Sequence, residues 1–330
     1  MDLTTTYLGL QLSHPIMPGA SPLADDLDSV KKLEDAGASA IVMRSLFEEQ
    51  ILREQLGAQE HIHALEGSHA EALSYLPPTS VFALGPEMYL EQLRKVRAAV
   101  AVPVIASLNG TTPGGWVDYA RLMEQAGAHA LELNLYTIPT DAEESAQTVE
   151  DRGIAVVSAV TAAVKIPVAV KLSPFYSSLP HFTKRVAGAG AQGVVLFNRF
   201  YQPDIDVDDL DVVRALHLSD SSELLLRLRW LAILSGRTKL SLSVSGGVHT
   251  ALDAVKAMMT GAHSVQVVSA LLKRGPGYLR TIIDEVRAWM EEHEYESVAQ
   301  LTGSMSLERC PEPSAYERGN YMSLLQSFHS

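Results

Sequence analysis

The chain has 330 residues, and its 47% hydrophobic content is enough for a large core; the length exceeds one average domain but is ordinary for a barrel with insertions. Twenty-six basic against thirty-nine acidic residues give a formal charge of −13, which repels nucleic-acid phosphates and anionic membrane surfaces and points to a small-molecule substrate. The segment Met1 to Thr6 lacks the basic-then-apolar order of a signal peptide, and no apolar run approaches the ~18 residues of a membrane span, so a cytoplasmic protein is expected. The one cysteine, Cys310, stands near Pro311 and Pro313 in a polar tail, which excludes a disulfide within the chain and a cysteine metal site.

Eight short apolar segments read as strands: His14 to Met17 running on to Ser21, Ala40 to Ser45, Val102 to Ser107, Ala130 to Leu135, Pro167 to Leu172, Gly193 to Asn198, Leu240 to Ser245 and Ser264 to Ser269. Helical periodicity fills the spaces between them at 28–36, 87–100, 116–126, 150–164, 179–189, 222–235 and 250–260, with Gly127, Gly190 and Gly261 as stop signals. This alternation predicts an α/β protein, a (β/α)8 TIM barrel over residues 1–303, followed by a C-terminal tail at 304–330. Residues 46–86 and 199–221 break the repeat as insertions after strands 2 and 6. In a barrel such loops lie over the active site.

Polar residues close most of the strands: Ser21, Arg44 with Ser45, Ser107 with Asn109, Asn134, Lys171, Asn198 and Ser245. Lys171 interrupts the run Val168-Ala-Val-Lys-Leu172, and a buried ammonium requires an anionic or electron-rich partner. Ser245-Gly-Gly-Val248 after strand 7 and Ser269-Ala270 after strand 8 stand where barrels commonly hold a phosphate. His61 and His63, with Glu66, lie in a polar loop without a further ligand, so no metal site is expected. His249 is expected to cap or pack.

Pro15-Ile-Met-Pro-Gly-Ala-Ser21, Glu132-Leu-Asn-Leu135, Val170-Lys-Leu-Ser-Pro174, Ser245-Gly-Gly-Val248 and Gly261 to Ala270 together resemble the dihydroorotate dehydrogenases, FMN-containing barrels, over about residues 3–303. The short class 1 members are the most similar. The resemblance implies that Ala20 and Ser21 line the flavin and that Arg44, Ser45, Asn109 and Ser245 belong to its surroundings. Asn134 would reach flavin and substrate, and Lys171 would stand at the flavin N1/O2 edge, where a cation stabilises the reduced, anionic form. Gly246, Gly247, Ser269 and Ala270 would hold the phosphate through backbone amides, and Asn198 would contact the pyrimidine. The implied reaction oxidises dihydroorotate, or a related reduced ring, by hydride transfer to FMN. A homodimer and a separate electron-transfer partner are also implied; the single cysteine leaves no iron–sulfur cluster in this chain.

The sequence departs from the family pattern where the substrate is read. The family's Asn-Leu-Ser-Cys-Pro-Asn loop is here Asn134-Leu-Tyr-Thr-Ile-Pro139, which puts Thr137 at the position of the base and Pro139 where an asparagine is usual. The asparagine-bearing substrate loop has become Ser74-Tyr-Leu-Pro-Pro78, and Arg44 replaces a lysine. An arginine paired with Glu48 or Glu49 is the plain alternative for Arg44. Other readings of the whole chain are a tRNA dihydrouridine synthase, which would need a loop cysteine and a basic face, a flavin-free lyase using Lys171 as a Schiff base, and a non-catalytic flavin-bearing or regulatory subunit.

Overall fold

The computed structural model describes residues 1–47, 86–109, 116–135, 137–199, 202–213, 216–317 and 325–327. Glu48, Glu49, His61, His63, Glu66, the 74–78 segment and the aromatic end of the tail lie outside the described residues. A hairpin of β1 (Thr5–Tyr7) and β2 (Leu10–Leu12) precedes an eight-stranded parallel sheet. Its strands are β3 (Ile16–Pro18), β4 (Ile41–Phe47), β5 (Val104–Asn109), β6 (Ala130–Asn134), β7 (Val168–Leu172), β8 (Gly193–Leu196), β11 (Ser241–Ser245) and β12 (Ser264–Val267). They follow one another in chain order, and β12 returns to pair with β3 through Val265 and Ile16. Ser39 spans from the entry of β4 to β3, its Oγ donating to the Ile16 carbonyl at 2.8 Å. The molecule is a (β/α)8 TIM barrel.

Both faces of the parallel strands are covered, which is why they read as nearly continuous apolar runs. The outer faces pack on α1 (Leu27–Asp35), α2 (Pro86–Ala99), α3 (Trp116–Gln125), α4 (Ala146–Ala163), α5 (Leu179–Gly188), α6 (Leu224–Leu234), α7 (Ala251–Met259), the short α8 (Ser269–Arg274) and α9 (Tyr278–Glu292). The inner faces enclose a second cluster made by Met17, Val42, Ile105, Ala130, Ala169 and Val195. Tyr7, Leu8 and Leu12 of the hairpin close it from the N-terminal end. The hairpin and α9 were not anticipated: strands of three residues are too short to show a period, and α9 lies beyond the last predicted helix.

The second insertion contains an antiparallel ribbon, β9 (Asp204–Asp206) paired with β10 (Asp211–Val213), whose turn is held by the Asp206 carboxylate accepting from the Asp208 and Asp209 amides. The tail packs back on the barrel: the Leu307 amide bonds the Ala232 carbonyl at 2.9 Å, and Cys310 is buried rather than exposed in a polar segment.

The N-terminal rim uses one repeated device. The side chain just before a strand accepts an N–H from the start of the strand before it: His129 Nδ1 from Val104 (2.9 Å), Gln192 Oε1 from Val168 (2.8 Å) and His263 Nδ1 from Leu242 (3.0 Å). His14 Nδ1 accepts from Ile16 in the same way, on its own strand. An accepting Nδ1 carries no proton, and burial holds His14, His129 and His263 below the ordinary histidine value. The unfolded chain therefore takes up protons that the folded barrel refuses, and stability falls as pH drops below about 6.5. We expect the melting temperature to fall by several degrees between pH 7 and pH 5. Replacing His129 and His263 by Gln, the residue that already serves at Val168, should flatten that slope; an unchanged slope would show that these rings do not cause it.

Candidate active site

The C-terminal ends of the strands carry the polar residues. A β-bulge between Val42 and Ser45 turns Ser45 toward β5, where its Oγ lies 2.7 Å from Ser107 Oγ. The Tyr89 hydroxyl accepts from the Ser107 amide at 3.0 Å and donates to its carbonyl at 3.1 Å, which fixes the upper part of β5 and leaves Asn109 buried at its end. Arg44, half-buried, pairs with Asp25 at 2.8 Å, beside the turn that begins at Ser21. Glu48 and Glu49, the partners expected from the sequence, lie outside the described residues. Ala20 packs against the inner cluster and Ser21 is buried.

Lys171 and Asn134 are register partners on β7 and β6, both buried. The Lys171 ammonium lies 3.1 Å from Glu132 Oε1, one inward position deeper on β6. The other carboxylate oxygen, Oε2, accepts from Gln266 Nε2 of β12 at 2.6 Å. That bond settles which way the Gln266 amide points, because a carboxylate only accepts. Gln266 Oε1 is left buried without a partner, as is Asn134 Oδ1. Below them Ser264 Oγ donates to Ser243 Oγ at 2.7 Å, and the Tyr7 phenol is pushed up first by burial and then by the Glu132 charge. Removing one partner of a buried ion pair costs roughly 3–5 kcal/mol, so Glu132 and Lys171 depend on each other.

The turn after β11 is built for close approach. Gly246 and Gly247 have φ of +87° and +81°, and a Cβ on Gly247 would stand 2.5 Å from the Leu224 backbone nitrogen. Arg227, buried and lowered by that burial, donates from Nε to the Ser245 carbonyl at 2.6 Å and closes the space beside Gly246. Asp253, in a capping box with Thr250, also accepts from the His249 amide and the Ser221 hydroxyl and so fixes the far side of the turn. Ser219 Oγ lies in the middle of this cradle, 2.8 Å from Ser269 Oγ, 3.4 Å from the Gly247 nitrogen and 3.3 Å from His249 Nε2. Lys273 Nζ donates to the Ser219 carbonyl at 3.1 Å. His249 therefore packs and bonds, as expected, and burial holds it below the ordinary histidine value.

Thr137 is half-buried and borders a cavity of about 380 Å³, a volume suited to a small ligand. Ile138, Pro139, Arg152, Ser173, Phe175 and Tyr176 share that wall. Asn198 is half-buried at the end of β8, its amide bonded to the Leu172 carbonyl at 2.8 Å. The structure thus gathers Asn134, Lys171, Ser45 and Asn109 at the strand ends, and Ser245, Gly246, Gly247, Ser269 and Ala270 at the cradle. Sequence reasoning gave no role to Glu132, Gln266, Ser219 or Arg227. Glu132 and Gln266 had a usable signal, a polar side chain at an inward position of an apolar strand. Ser219 and Arg227 had none, since their partners are distant in the chain. No group of side chains suited to a metal ion occurs among the described residues, and none of their helices is long and apolar enough to cross a membrane.

Comparison with known proteins agrees with this architecture. Residues 2–290 match the dihydroorotate dehydrogenase family. An Aeropyrum pernix protein, provisionally named dihydroorotate dehydrogenase A (fumarate), is 29% identical over 308 residues, 92% of this chain and 97% of its own. The catalytic subunit of dihydroorotate dehydrogenase B (NAD(+)) from Thermoplasma volcanium is 26% identical over 310 residues, covering 92% and 98% of the two chains. The corresponding subunit from Halalkalibacterium halodurans is 30% identical over 220 residues, 62% of this chain and 69% of that one. The chain belongs to the dihydroorotate dehydrogenase family, oxidoreductases acting on CH–CH groups.

Proposed function

We propose that this protein binds FMN at the mouth of the barrel and oxidises dihydroorotate, or a closely related reduced ring, to its unsaturated product. The observation that carries the reading is a buried Lys171 beside two unpartnered acceptors, Asn134 Oδ1 and Gln266 Oε1, at the barrel end that also holds the Gly246-Gly247 cradle. These residues fit the cofactor. The cradle takes a phosphate through the Gly246, Gly247, Ser269 and Ala270 amides with the Ser219 hydroxyl, and Lys171 offers a cation to the N1/O2 edge. Ala20, Ser21, Arg44, Ser45, Asn109 and Ser245 complete the surroundings. Bound FMN would supply the hydride acceptor.

The chain's own residues would do the rest. Asn134 and Asn198 orient the ring, and Thr137 takes the proton from the carbon next to the one that loses hydride. A threonine hydroxyl is a weak base, so it passes that proton on to water. The lyase reading is weaker. A Schiff-base lysine attacks as the neutral amine, whereas Lys171 is paired with a buried carboxylate at 3.1 Å. The relatives' names divide between fumarate and NAD(+), so fumarate and a separate electron-transfer subunit are the acceptors to test, with the chain as a cytoplasmic homodimer.

The purified protein should show a visible flavin spectrum that bleaches on anaerobic addition of dihydroorotate. An unbleached flavin would remove the substrate and leave the cofactor, and absence of FMN uptake would remove both. Lys171→Ala should weaken FMN binding at least tenfold in a fluorescence titration. Gly247→Ala should abolish FMN retention, because its Cβ meets backbone rather than a movable side chain. Thr137→Ala should retain the flavin spectrum and slow bleaching by about 10²–10⁴; an unaltered rate would dismiss Thr137 as the base.

A further inference from the structure

We infer that Glu132 is a positioning residue that sets how much positive charge Lys171 presents to the flavin, and thereby sets the reduction potential of the bound cofactor. The inference rests on the FMN reading above and goes beyond it, because nothing in that reading assigns a role to the carboxylate.

Three observations carry it. Glu132 is buried to 1% exposure above an inner cluster of apolar side chains, where an unpaired carboxylate would not be tolerated. Its two oxygens are divided between Lys171 Nζ at 3.1 Å and Gln266 Nε2 at 2.6 Å. Gly19, just after β3, leaves room for Gln266: a Cβ there would lie 3.0 Å from both Gln266 Cβ and its Oε1. The carboxylate is therefore tied to β12 on one side and steers the ammonium on β7 from below.

The electrostatic consequence follows from distance. A full cation at the N1/O2 edge favours the reduced, negatively charged cofactor, and a carboxylate 3.1 Å from that cation cancels part of its field. Glu132 thus holds the ammonium in place and lowers the potential that an unopposed lysine would impose. A purely structural Glu132 would affect folding and FMN occupancy but leave the potential of the bound fraction unchanged.

The test is the reduction potential of FMN bound to the full chain, measured at one fixed pH for all variants. Glu132→Gln, which preserves shape and removes the charge, should shift the reduction equilibrium at least tenfold toward the reduced form, about 30 mV for a two-electron couple. An unchanged or lower potential would overturn the inference. Should that variant fail to fold, Glu132→Asp replaces it: the shorter side chain keeps a carboxylate in the interior but draws it back from Lys171, and its potential must exceed that of the wild type; equality would overturn the inference. A wild-type protein that takes up no FMN would overturn the proposed function and this inference with it. A reducible bound flavin indifferent to Glu132 would overturn the inference only.

Discussion

The ion pair between Lys171 and Glu132 is the constraint around which the upper barrel is arranged. Two opposite charges stand 3.1 Å apart inside a sheet whose lower layer is apolar. Such a pair seldom stabilises a fold more than apolar residues of the same volume would, since desolvating both ions offsets their attraction. Its presence argues for a task at the mouth, and the neighbouring groups agree. Gln266 gives the carboxylate its second partner, and Asn134 Oδ1 and Gln266 Oε1 are left buried without partners.

The rest of the fold supports that layer from both ends. Below it, the hairpin drives Tyr7, Leu8 and Leu12 into the barrel, and the histidine and glutamine side chains of the N-terminal rim satisfy the amides where strands begin. Beside it, Arg227 and Asp253 hold the Gly246-Gly247 turn at positive φ against the start of α6. Each limits how far the strand ends can move, which an electrostatic site requires.

Much of this was legible in the sequence. The eight barrel strands appear as apolar runs because both faces of a parallel sheet are covered, and the residue that stands out in one of them, Lys171, is a buried cation paired with Glu132. Strand limits were less legible: the run Ser264 to Ser269 leaves the sheet at Val267, and the run Gly193 to Asn198 leaves it at Leu196. Glu132 was visible within Glu132-Leu-Asn-Leu135 but carried no meaning until closure of the barrel brought β12 and Gln266 across from it. Ser219 and Arg227 act on residues 50 and 18 positions away, so no local pattern announces them. The ribbon at 204–213 was hidden by its aspartates, which read as loop.

A crystal structure of the protein with FMN tests whether Lys171 stands at a flavin edge with the cradle on the phosphate. The flavin N1/O2 edge should lie within hydrogen-bond distance of Lys171 Nζ and the phosphate on the amides of Gly246, Gly247 and Ser269. A flavin bound elsewhere, or a cradle that stays closed on Ser219 with Lys171 bonded only to Glu132, would contradict it.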